Sequence, residues 1–129
     1  MGRIVAQVRV ENAVIEGAGM DVSALVDTGA AMLTLPAAWK DRFGAFKRVT
    51  EEAFENASGD TVIGEVAGPV EIVIERFRPI YSDVLFIEMR PDEKGYFEPL
   101  LGYIPLESAN LGVDMVGHRL ISAKRMDLK

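Results

Sequence analysis

Apolar and polar side chains alternate through most of this chain. Ile4, Ala6, Val8 and Val10 share one phase, while Val5, Gln7 and Arg9 hold the other. A period of two puts alternate side chains on opposite faces of a strand. A half-buried strand is therefore expected from Ile4, running on towards Ile15. Glu16-Gly17-Ala18-Gly19 breaks the pattern, and its glycines can supply the positive φ of a tight reversal. Strands are next expected over 21–26 and 32–35, the second stopped by Pro36, which has no amide hydrogen for a ladder. Residues 37–43 predict a helical turn ended by Gly44. Residues 47–54 and 61–66 read as the arms of a hairpin around Asn56-Ala57-Ser58-Gly59-Asp60, the second arm ending near Gly68-Pro69. The β-branched and aromatic stretches 70–74 and 80–89 read as strands. A polar loop over 90–95 precedes a short apolar segment, 99–102. A helical turn is expected over 105–109, with Pro105 at its first position. Residues 111–115 and 119–123 form a closing hairpin around Gly117-His118.

About nine short strands, little helix and closely spaced turns predict an all-β fold, a closed barrel or sandwich. The length of 129 residues suits one domain, taken as residues 1–123 with a short basic tail over 124–129.

Composition works mainly by exclusion. The net charge is -6, and the basic residues are scattered, so no clustered face for nucleic acid is expected. The chain has no cysteine, which removes disulfides, thiolate chemistry and cysteine-based zinc sites and suits a cytoplasmic protein. No apolar run approaches the ~18 residues of a spanning helix, and no signal-peptide pattern is present, so no membrane partner is expected. The one histidine, His118, stands beside Gly117 in a predicted turn, with no serine placed for a triad. Asp83, Glu88, Asp92 and Glu93 lack metal-loop spacing and read as solvent-facing charges, so neither metal nor cofactor is expected. Trp39 reads as a core or interface anchor, and Tyr81, Phe86, Tyr96 and Phe97 as core or pocket wall.

The chemistry lies in Leu25-Val26-Asp27-Thr28-Gly29-Ala30. Two apolar strand residues deliver an acid into a loop containing glycine, and Leu33 and Leu35 then lead away. Asp-Thr-Gly alone also suits an ordinary turn, where Asp bonds its own backbone. Here, however, the segment lies between strongly apolar strands, where a surface turn would have more polar neighbours. It resembles the active-site loop of retropepsin-like aspartic peptidases: two hydrophobic residues, then Asp-Thr/Ser-Gly-Ala/Ser.

That resemblance implies a role for each position. Asp27 is the catalytic carboxylate. The Thr28 hydroxyl ties two loops together across a two-fold axis. Gly29 lets the backbone approach substrate and takes dihedrals costly for other residues. Ala30 replaces the serine of other versions, whose hydroxyl favours the charged carboxylate, so a less acidic optimum is expected. Ala57, Ser58, Gly59 and Asp60 fall where the family has its flap, a hairpin that closes over the peptide, although any hairpin would use such residues. Leu100-Leu101-Gly102, with the helical turn after it, resembles the second hallmark, an apolar strand packed behind the catalytic loop. The family usually places Asp or Asn soon after that glycine, whereas Tyr103 and Ile104 follow here. The strands around Leu111 to Ile121 resemble the segment that knits the dimer.

Peptide hydrolysis needs a base for water and an acid for the carbonyl oxygen. Two neighbouring carboxyls that share one proton can fill both roles. The chain has a single Asp-Thr-Gly, so the second carboxylate must come from another copy in a symmetric homodimer. The expected function is an aspartic endopeptidase acting on peptides or unfolded proteins. The alternative is a binding module on the same fold that holds a peptide or protein without cutting it.

Overall fold

The computed structural model of the chain describes residues 3–55 and 58–123. The alternating segments form strands β1 (Val5–Asn12), β2 (Gly19–Val26), β3 (Leu33–Pro36), β4 (Arg48–Glu55), β5 (Thr61–Ile74) and β6 (Ile80–Ile87). After them come β7 (Leu100–Leu101), the helix α1 (Tyr103–Ser108), β8 (Leu111–Asp114) and β9 (Arg119–Ser122). A 3₁₀ helix, Ala37–Phe43, lies between β3 and β4. The all-β expectation holds.

Strand β1 stops at Asn12 and does not reach Ile15. The cause is the buried Asn12 side chain. Its Nδ2 donates to the carbonyls of Phe43 and Ala45, 2.9 Å each, and its Oδ1 accepts from the Val14 amide at 3.0 Å. Such side-chain bonds offer the backbone an alternative to the ladder. In the reversal that follows, Gly17 takes φ +85, while Gly19 lies inside β2. A Cβ on Gly19 would lie 2.0 Å from the Val10 carbonyl oxygen, so glycine is needed there for close approach.

Gly68-Pro69 does not end a strand. β5 runs through it as one strand of 14 residues, with the register against β6 shifting between Ala67 and Val70. A proline in such a bulge removes no ladder bond. The Pro69 carbonyl accepts from the Ala13 amide at 3.0 Å. Continuity matters because one half of β5 pairs with β4 and the other with β1.

The sheet order is β1-β2-β7-β3-β6-β5-β4, and β1 also pairs with β5. That pairing closes the strands into a barrel, with β4 outside the ring and bonded to β5 alone. Ala6, Val8, Leu33, Leu35, Phe43, Ile72, Phe86 and Leu101 lie in the buried cluster inside. Phe43 meets Phe46 at 5.7 Å and Phe86 at 5.6 Å between ring centroids. The segment β8–β9 forms a separate two-stranded sheet. No described helix is long and apolar enough to cross a membrane.

Two of the four aromatic residues read as core or pocket wall lie elsewhere. Tyr81 is 66% exposed and Tyr96 69% exposed. Tyr81 follows the buried Ile80 on β6 and so takes the outward phase. Tyr96 belongs to a loop organised by Asp92, whose Oδ1 accepts from the Lys94 and Tyr96 amides. Trp39 packs against the core, edge-to-face with Phe97 at 5.9 Å and beneath the Arg42 guanidinium at 5.8 Å.

Candidate active site

Strand β2 delivers Asp27 into a loop, and β3 leads away from it. Between these two strands lies β7. It pairs in parallel with β2 (Leu25 with Leu100, Val26 with Leu101) and antiparallel with β3 (Leu33 with Leu101). A two-residue strand has few hydrogen bonds, each contributing about 1 kcal/mol net. Complete burial of Leu101 adds about 2 kcal/mol. Packing and pairing thus hold β7 together.

The backbone around this wedge fixes the loop from behind. The Asp27 amide donates to the Leu101 carbonyl at 3.0 Å, and the Ala30 amide to the Asp27 carbonyl at 3.0 Å. The Gly102 amide donates to the Met32 carbonyl at 3.2 Å. Helix α1 then starts at Tyr103, two residues before the expected position. The first amides of a helix have no partner within it. Here Tyr103 donates to the Ala30 carbonyl at 3.0 Å and Ile104 to the Ala31 carbonyl at 2.9 Å. The third helical residue is Pro105, which has no N–H to satisfy. The end of the helix is thereby capped by the loop carrying Asp27.

Gly102 is required by this arrangement. A Cβ there would lie 2.5 Å from the Ala31 carbonyl carbon and 2.6 Å from the Ala30 carbonyl oxygen. Both are backbone atoms and cannot swing aside.

Asp27 is half-buried, and its Oδ1 accepts from the Gly29 amide at 2.9 Å. Gly29 does not adopt a positive φ, contrary to the expectation that it takes dihedrals costly for other residues. Its role is proximity: a Cβ would lie 3.2 Å from that same Oδ1. Thr28 and Gly29 are exposed, and Ala30 is half-buried.

Asp27 opens onto a cleft of about 640 Å³. Ala30, Ala31 and Met32 line it from the loop, Leu85 and Ile87 from β6, and Leu100 from β7. Phe54 and Val62, paired across β4 and β5, and Glu55 line it from the hairpin. In that hairpin Glu55 pairs with Thr61, and Ser58, Gly59 and Asp60 lie in the connection, Gly59 at φ +87. Ala57 lies outside the described residues, as does the 124–129 tail.

A second depression of about 320 Å³ also reaches Asp27 and Thr28. Its walls include Ile4, Leu25, Val26, Val113 and Met115. Met115 is 65% exposed and its neighbour Val116 93% exposed. His118 belongs to the same exposed turn, at φ 53.

The structure therefore brings Asp27–Ala30 and Leu100–Gly102 together and sets the hairpin beside the cleft. No motif in the sequence marks Phe54, Glu55 or Val62 as cleft residues. Phe54 and Val62 share one face by strand alternation, but which face lines the cleft depends on the β5 bulge. Glu55 carries no signal that separates it from a solvent-facing charge.

No family model and no curated protein matches the sequence. Among solved structures, the chain is similar to the EIAV protease, a retroviral enzyme, in complex with the inhibitor HBY-793. The TM-score is 0.59 at 20% identity, covering 82% of this chain and 86% of that one. This likeness establishes the fold, an all-β, retropepsin-like barrel.

Proposed function

We propose that the chain is one subunit of a homodimeric aspartic endopeptidase, with residues 1–123 as its catalytic domain and Asp27 as its catalytic residue. The observation that carries this reading is the seating of Asp27. Its loop is clamped by Leu100-Leu101-Gly102, and its carboxylate opens onto an apolar cleft lined on another side by the β4–β5 hairpin.

One carboxylate supplies half of the chemistry. In a symmetric pair, the two Asp27 carboxyls share a proton, because like charges at close range cannot both ionise. The ionised one takes a proton from water, and the protonated one donates to the scissile carbonyl oxygen. The tetrahedral intermediate collapses as a carboxyl donates to the leaving amine. Thr28, exposed beside Asp27, is free to bond its copy across the axis. The apolar depression next to it, with Met115 and Val116, offers surface for a second copy to cover. The peptide would lie as an added strand between loop and flap, Ser58, Gly59 and Asp60 closing over it with Ala57. The lack of cysteine suits work in the cytoplasm.

The test is digestion of an unfolded protein from pH 4 to pH 7 by the wild type and by Asp27→Asn. Cleavage by the wild type alone is expected. Equal cleavage by both contradicts the role of Asp27, and cleavage by neither favours a peptide-binding module.

A further inference from the structure

The cleft contains a second carboxylate that the peptidase chemistry does not use. Glu55 lines it at the end of β4, among walls that are otherwise apolar except for Asp27 and Thr34. Glu55 makes no ion pair with any described residue. Its strand is acidic, with Glu51 and Glu52 further along. The one cation of β4, Arg48, faces Asp83 at 3.4 Å. Glu65 across the hairpin already has Lys40 at 2.8 Å. The β4 carboxylates are thus left without neutralising charge.

A charge on β4 has a second use, since β4 is the edge strand and charged side chains block pairing with other chains. That use does not depend on the cleft, yet Glu55 lines it. Glu55 is exposed in the free chain, and an extended peptide in the cleft would cover it and strip water from it. An ionised carboxylate in such surroundings is costly unless it meets a cation. A neutral or acidic side chain opposite it leaves that cost unrelieved.

We infer that Glu55 is a specificity residue that selects peptides carrying Lys or Arg close to an apolar residue at the cut site. The inference rests on the peptidase reading. In a symmetric dimer Glu55 occurs once on each side of the scissile bond, so the preference applies on both sides. The negative field of the hairpin adds to it by drawing cationic segments towards the cleft.

The test uses synthetic peptides with a fixed apolar pair at the cut site and Lys, Gln or Glu at one flanking position at a time. The ratio of kcat/KM for the Lys and Gln peptides is the readout, in wild type and in Glu55→Gln. A ratio of about five is expected for wild type at the responsive positions, falling towards one in the variant and at high salt. Affinity of the same peptides for Asp27→Asn, with and without Glu55→Gln, gives a reading independent of catalysis. Cleavage without a Lys preference overturns the inference and leaves the peptidase reading standing. Lys-selective binding that Glu55→Gln abolishes, with no cleavage by wild type, sustains recognition by Glu55 and overturns the peptidase reading. A preference unchanged in Glu55→Gln, or no binding and no cleavage of any peptide, overturns the inference.

Discussion

At the scale of single residues, the site depends on atoms that are missing as much as on those present. Gly29 has no Cβ, so its amide reaches the Asp27 carboxylate at 2.9 Å. Gly102 has none, so the chain after β7 can pass directly behind Ala30 and Ala31. These two glycines differ in what a substitution meets. At Gly29 the nearest atom is a side-chain oxygen, 3.2 Å from a new Cβ, whereas at Gly102 three backbone atoms lie within 2.7 Å. Gly102→Ala must therefore displace the loop that carries Asp27. The expected result is a loss of about 1–3 kcal/mol in urea unfolding, typical of overpacking. Cleavage should fall by more than the lost folded population explains. Full activity in Gly102→Ala would show that the clamp does not position Asp27.

At the scale of elements, the β8–β9 hairpin is held at its turn by Asp114. The backbone bond from the Gly117 amide, 2.9 Å, is the main cause that lowers its carboxyl below the ordinary aspartate range. Arg119 is the second, its Nε donating at 3.1 Å. A lowered folded-state value means that the charged form stabilises the hairpin. That contribution is complete above the ordinary aspartate range and is lost as pH falls through the lowered value. Acid should therefore loosen this turn only below the range where free aspartates titrate. An NMR titration of the Asp114 carboxyl should give a low midpoint. Arg119→Gln should raise it only part of the way, since the Gly117 bond remains. An ordinary midpoint in the wild-type protein would contradict this anchoring.

The hairpin was readable in the sequence because Gly117-His118 punctuates two apolar runs. The other strands were readable because burial on one face imposes a period of two. Their ends were less so. The side chain of Asn12 bonds to residues more than thirty positions away, and its sequence gives no sign of those partners. Gly68-Pro69 carries the same local signal in a bulge as in a strand end, and only the neighbours β1 and β6 decide which it is. Helix α1 starts early because carbonyls of a distant loop satisfy its first amides. In the candidate site, Asp27 and Leu100-Leu101-Gly102 were legible as motifs. Their joining through β7 is a long-range parallel pairing that no local propensity encodes. Glu55 has no sequence signature, because an acid on an edge strand is ordinary and only the fold sets a cleft beside it.

At the scale of the molecule, the barrel closes through the β1–β5 pairing, and this leaves two parts outside the ring: β4 and the β8–β9 sheet. Asp27 lies where the two depressions meet. One is the apolar cleft, and the other is the smaller depression with Val113 and Met115 in its wall. In the proposed dimer the first would hold peptide and the second would meet another copy of the chain, which supplies the second carboxylate that peptide hydrolysis needs. The decisive measurement mixes wild type with Asp27→Asn at varied ratios, after denaturation and refolding together, at fixed total protein. If each active unit needs two Asp27 carboxyls, peptide cleavage falls as the square of the wild-type fraction. A fall in simple proportion to that fraction would mean that one Asp27 suffices, and would contradict the shared site.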